Sequence, residues 1–165
     1  MLEGYPLLKL SLSDKSMTAL AFGIIRQESL FNTHAISPVG ARGLMQLMTG
    51  TAKDMARKTG QKFQKSRLYQ AQYNTSLGTA YLQYLHDRFD GSTVLIIASY
   101  NAGPGRVNSW LKKMGDPRSK DINIIDWVES IPVYETRNYV QRVLEGMYIY
   151  QLRLSMAPQT ILALK

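Results

Sequence analysis

The sequence predicts an all-α fold in a single domain, on three observations. Met17, Leu20, Ala21, Ile24 and Ile25 recur at the i, i+3, i+4, i+7, i+8 spacing of an amphipathic helix. Leu77, Ala80, Tyr81, Tyr84, Leu85 and Arg88 form a second face of this kind, and Thr136, Val140, Val143, Leu144, Met147 and Tyr148 a third. Everything between these faces reads as loop or short helix. At 165 residues, with 45% hydrophobic and 19% charged residues, the chain has the length and composition of one globular domain with a substantial core.

Taken in order, residues 1–12 are an apolar lead-in, and Ser13 and Asp14 are the candidate N-caps of the first helix. Residues 49–58 read as a helix stopped by Thr59-Gly60, with Thr49 as its cap. Residues 61–70 are polar and basic, and read as a loop. The second long helix is closed by Asp90-Gly91. Residues 92–98 form a short apolar run, capped by Ser92 or Thr93, that carries Tyr100 and Asn101 to its end. Gly103-Pro104-Gly105 breaks the chain and restarts it at Arg106. Residues 111–124 read as an exposed, tolerant connection. Residues 126–132 lead into the last helix, with Glu135 in its first turn, where a carboxylate also favours the helix dipole. A short apolar tail covers about 155–165. The first fifteen residues lack the basic start, long apolar stretch and small-residue cleavage site of a secretory signal. No apolar run is long enough to span a bilayer.

Glu28 is the residue that breaks the pattern. It continues the stripe of Ala21 and Ile24, so a core-facing helix carries a carboxyl in its last turn. A poorly solvated carboxyl has a raised pKa, which is what a general acid needs near neutral pH. The plainer alternative is a solvated Glu28, or one paired with Arg26 or Arg42. Downstream, residues 37–43 (SPVGARG) form a turn-rich link in which Pro fixes φ and glycines allow close backbone approach. The link runs into Leu44-Met45-Gln46-Leu47-Met48, an apolar run with one amide. Such a loop suits a sugar-binding wall. Tyr100-Asn101 before a Gly-Pro-Gly turn likewise offers a ring, a hydroxyl and an amide in one place. Tyr81 and Tyr84 read as packing residues.

Glu28-Ser29, Gly43-Leu44-Met45-Gln46 and Tyr100-Asn101-Ala102-Gly103, in that order, resemble the motifs of the soluble lytic transglycosylases. Val128-Glu129-Ser130-Ile131-Pro132 and Glu135-Thr136-Arg137 extend the resemblance over about residues 5–150. Thr49 departs from it, standing where the family often has Pro. The resemblance implies a lysozyme-like domain of the goose-type lysozyme and transglycosylase kind. It implies cleavage of the β-1,4 bond between N-acetylmuramic acid and N-acetylglucosamine in peptidoglycan glycan strands. It implies that Glu28 acts first as acid and then as base, closing a 1,6-anhydro ring. Ser37, Met45, Gln46, Met48, Tyr100, Asn101, Glu135 and Tyr139 are the implied substrate-binding residues. Tyr100 and Asn101 together would hold the acid and an N-acetylated sugar. The resemblance further implies a periplasmic location and a helical domain preceding this one. It implies no cofactor.

The charge and the missing residue types narrow the alternatives. Twenty Lys and Arg against twelve Asp and Glu give a net charge of +8, the signature that nucleic-acid binding would require. The basic residues are dispersed, however, with Lys53, Arg57, Lys58, Lys62, Lys65 and Arg67 as one loose cluster, and no nucleic-acid motif accompanies them. An anionic polymer such as a cell wall accounts for the charge equally well. With no Cys, and only His34 and His86, disulfides and thiolate metal sites are excluded and no metal site is expected. Two alternatives stay open: a goose-type lysozyme that hydrolyses the same bond with water, and a non-catalytic wall-binding module.

Overall fold

Two helices that cross through glycine hold the site together. In the computed structural model, which describes residues 5–10 and 12–157, α1 is Lys15–Ser29 and the last helix is Tyr134–Arg153. Between them lie α2 (Thr49–Lys58), α3 (Ala71–Arg88), α4 (Thr93–Ala102), α5 (Pro104–Met114) and α6 (Ile124–Glu129), which makes the last helix α7. A Cβ on Gly23 of α1 would lie 2.9 Å from the Val143 carbonyl oxygen and 3.0 Å from the Met147 nitrogen. Gly146 faces Gly23 in turn, so neither helix backbone could come this close with a side chain between them. From this crossing the chain runs forward to Glu28 and back to Tyr139, and those two side chains meet.

The all-α expectation holds among the described residues, where the extended pairing is confined to the isolated bridges Ile36–Arg42 and Arg42–Leu47. Asp14 is the N-cap of α1, its carboxylate accepting from the Ser16 N–H at 2.7 Å. α4 is apolar on every side, with Val94 through Ser99 buried, and it packs on α3, α5 and α7. It joins the α1–α7 half of the molecule to the α2–α3 half. Pro104 starts α5 at its first turn, and Gly103 at φ 84° makes the break before it. At the amino-terminal side, Tyr150 of α7 stacks on Phe22 with ring centroids 4.8 Å apart, and its hydroxyl donates to the Pro6 carbonyl. Residues 5 and 6 are thereby held against the body.

Several local expectations are corrected. Thr49 is the first residue of α2 and caps nothing; Met48 occupies the cap position, with no side-chain bond. Residues 61–70 contain a 3₁₀ turn, Lys65–Tyr69, because Leu68 is buried there and its carbonyl is bound by Asn74. Ser92 occupies the N-cap position of α4, but its hydroxyl is buried without a partner among the described residues. Residues 111–124 are not a loose connection. α5 continues to Met114, Trp127 Nε1 donates to the Gly115 carbonyl at 3.0 Å, and Arg118 bridges Asp116 and Asp90. On α7, Tyr148 is 51% exposed, and the packed face instead carries Tyr139 and Tyr150. Arg88 is likewise exposed, at the end of the α3 face. Of the tail expected over 155–165, residues 158–165 lie outside the described residues, as do residues 1–4 and 11 of the lead-in.

Candidate active site

α1 ends because Leu30 and Phe31 turn into the left-handed region, at φ 49° and 66°. Ser29, the last helical residue, donates its hydroxyl to the Leu44 carbonyl at 2.8 Å. The end of the Glu28 helix is thus stitched to the loop that follows. That loop is closed by its own polar groups. Ser37 Oγ accepts from the Ala41 N–H at 3.0 Å, and Gln46 Nε2 donates to the Ala35 and Gly43 carbonyls at 3.0 and 2.8 Å. Asn74, fully buried on α3, grips the loop from beneath. Its Oδ1 accepts from the Met45 N–H at 2.8 Å, and its Nδ2 donates to the Arg42 and Leu68 carbonyls at 2.9 Å. Gly43 at φ 75° passes so close to this amide that a Cβ there would lie 2.3 Å from Asn74 Nδ2.

Glu28 lines a cavity of about 400 Å³ together with Asn101, Glu135, Tyr139 and, from the same face of α7, Asn138 and Arg142. The Tyr139 hydroxyl donates to Glu28 Oε1 at 2.6 Å. Desolvation lifts the Glu28 pKa, Tyr139's hydrogen bond opposes the rise, and the charge of Glu135 adds to it; the result is about 7. The two cations considered as partners for Glu28 make contacts elsewhere. Arg42 donates to Tyr69 and to the Gly40 carbonyl, while the Arg26 guanidinium lies 3.9 Å from the Tyr5 ring centroid.

The structure gathers Glu28, Asn101, Glu135 and Tyr139 around one cavity and places the other implied residues differently. Met45 is fully buried, its thioether against Gly78, so its side chain belongs to the core. Ser37 and Gln46 hold the loop in shape. Met48 is 46% exposed just before α2. The expectation that the Tyr100 hydroxyl holds the acid is corrected: it donates to the Met45 carbonyl at 2.8 Å, and Tyr139 is the donor to Glu28. Asn101 turns its Oδ1 toward α7, accepting from the Thr136 hydroxyl at 2.6 Å. Sequence reasoning missed Asn74, Asn138 and Arg142. Glu135, Asn138, Tyr139 and Arg142 fall at i, i+3, i+4 and i+7, a polar stripe that periodicity alone could have found. Among the described residues no group of three or more His, Cys, Asp or Glu could hold a metal ion, and no helix is long and apolar enough to cross a membrane.

Two expectations follow from this electrostatic arrangement. A raised carboxyl pKa means the folded state holds a proton that the unfolded chain releases above about 4.5. Stability from this source is therefore complete below that pH and is lost as pH rises through about 7. Glu28→Gln, which cannot ionise, should gain in melting temperature relative to the parent chain over that same rise. Tyr139→Phe removes the bond that favours the carboxylate, so Glu28 should titrate still higher. A shift of the alkaline limb of the activity profile to higher pH, with a lower rate, is the expected reading; an unshifted limb contradicts the assigned bond.

The sequence matches the family model of the transglycosylase SLT domain over residues 7–123. It is 43% identical over 126 residues to the soluble lytic murein transglycosylase of Salmonella typhimurium, covering 75% of this chain and 19% of that protein. Among solved structures, an inactive mutant of lytic transglycosylase Slt from Pseudomonas aeruginosa superposes with a TM-score of 0.77 at 46% identity, over 87% of this chain and 23% of that one. The 70 kDa soluble lytic transglycosylase of Escherichia coli gives a TM-score of 0.80 at 38% identity, over 88% and 23% of the two chains. The chain thus spans about a fifth of the length of the soluble lytic murein transglycosylases it matches.

Proposed function

The chain belongs to the transglycosylase SLT domain family, and from that premise we propose that it is a lytic transglycosylase acting on peptidoglycan. The observation that carries the reading is a desolvated carboxyl, Glu28, with a pKa of about 7 on the wall of a cavity of about 400 Å³. At neutral pH a substantial fraction of Glu28 is protonated and able to donate. It gives its proton to the glycosidic oxygen between N-acetylmuramic acid and N-acetylglucosamine, and that bond breaks. Positive charge develops at the muramyl C1, where the sugar's own acetamido oxygen can stabilise it. Glu28, now a carboxylate held by Tyr139, takes the proton of the C6 hydroxyl. The C6 oxygen bonds to C1, giving a 1,6-anhydro end and returning Glu28 to its acid form. No water is consumed. Asn101, Glu135 and Asn138 would present amide and carboxylate groups to the sugar hydroxyls and N-acetyl groups. With this substrate the reaction takes place in the bacterial cell envelope, and we infer a periplasmic location within it.

One observation favours a second reading. Glu135 lines the same cavity as Glu28, and a second carboxylate could orient a water for hydrolysis. Mass spectrometry of muropeptides released from purified sacculi separates the two. Anhydro-muramyl ends are the expected product; reducing muramyl ends would establish the hydrolase, and no release would support a binding module.

A further inference from the structure

The cationic cluster of residues 53–67 has no part in the Glu28 cavity, yet it borders one of its own. Over residues 49–70 six Lys and Arg stand against one acid, Asp54. Lys53, Arg57, Lys58, Lys62 and Lys65 are exposed. Where α2 meets α3, Lys58, Arg57, Asp54, Met55, Tyr81 and Tyr84 line a cavity of about 250 Å³. Tyr81 and Tyr84 are stacked, with centroids 6.1 Å apart and planes 16° from parallel. Both are half-buried, and both line this cavity. Lys58 Nζ stands 4.0 Å from the Tyr84 ring centroid, and Arg88 is 3.5 Å from the Tyr84 hydroxyl. Tyr100 links this cavity to the active site: its ring centroid is 5.4 Å from that of Tyr81, and Glu28 is close enough for its charge to act on the Tyr100 hydroxyl.

Paired aromatic faces beside a cation suit a ligand that combines a sugar ring with a negative charge. Sugar C–H faces pack on aromatic rings, and an ammonium held over one ring, as Lys58 is over Tyr84, can bind a carboxylate while the neighbouring Tyr81 ring meets the sugar. In a peptidoglycan strand the negative charge lies on the lactyl-peptide branches, not on the glycan backbone. We propose that the Tyr81–Tyr84–Lys58 cavity is a second subsite for the same strand, in which the rings hold a sugar and Lys58 binds a carboxylate of its peptide branch. The proposal rests on the peptidoglycan reading above. It turns the packing expected of Tyr81 and Tyr84 into a shared role, and it gives the loose basic cluster a ligand.

The test measures binding, without turnover, in the Glu28→Gln chain, by calorimetry with glycan oligosaccharides that keep their peptides and with the same oligosaccharides stripped by an amidase. Adding Lys58→Glu should weaken the peptide-bearing ligand about tenfold and the stripped one less than about twofold. Lys58→Arg should restore the difference, and Tyr84→Ala should weaken both ligands. Lys58 is exposed, so its variants should melt as the parent does. Equal weakening of both ligands, or none, overturns the subsite while leaving the peptidoglycan reading intact. If Glu28→Gln bound neither glycan, both would fall. Single-stranded DNA serves as the control polyanion, and a loss confined to it would assign the cavity to nucleic acid.

Discussion

Glu28→Gln is expected to cut turnover on peptidoglycan by about 10²–10⁴-fold, and by more if one carboxyl serves both proton transfers. Gln matches Glu in shape and can still accept from the Tyr139 hydroxyl, which lies 2.6 Å from the carboxyl. Substrate binding should therefore change far less than the rate. The mutant should also lose its dependence on pH near neutrality, since the group that titrates at about 7 is gone. The check is release of anhydro-muropeptides per folded molecule, with glycan binding measured on the same preparation. Turnover near that of the parent chain would remove Glu28 from the chemistry.

Asn74→Ala should be the most damaging of the single changes considered for the fold. Asn74 is fully buried and makes three hydrogen bonds of 2.8–2.9 Å to the loop and the 3₁₀ turn. Truncation leaves the Met45 N–H without its acceptor in the interior and opens a void beneath Gly43. Each buried group left unpaired costs about 1–3 kcal/mol, so a loss of about 3 kcal/mol or more is expected. In a domain of this size that corresponds to a fall in melting temperature of about 10 °C. Activity per folded molecule should fall as well, because the loop that Asn74 grips receives the Ser29 bond at the end of the Glu28 helix. Thermal melting and specific activity decide it. A mutant that melts with the parent would show that the loop holds itself.

The stripe from Met17 to Glu28 was readable because burial imposes a helical period and a carboxyl on it stands out. The helices 71–88 and 134–153 follow the same logic, whereas 93–102, apolar on every side, was legible only as a short apolar run. What sequence could not carry was the pairing across the fold. Tyr100 and Tyr139 are both tyrosines near a helix end or first turns, and nothing local says whose hydroxyl reaches Glu28. The Gly23–Gly146 crossing decides that, by fixing which turn of α7 lies opposite the end of α1. Gln46 read as a sugar-facing amide because it was the polar residue of an apolar run. Its amide nitrogen faces the loop's own carbonyls, at a backbone φ of 44° that no periodicity reveals. Asn74 was hidden for the opposite reason. A buried amide in a long helix looks like an interruption of the stripe until the loop it binds is in place.

The central claim is that Glu28 is an acid held protonated by its surroundings, and its own titration tests that most directly. Carboxyl ¹³C shifts followed by NMR against pH, with Glu28→Gln used to assign the resonance, give the midpoint without reference to any substrate. A midpoint near 7 is the expected result. A midpoint at the ordinary glutamate value of about 4.3 would contradict it, since a carboxyl ionised throughout the neutral range cannot supply the first proton.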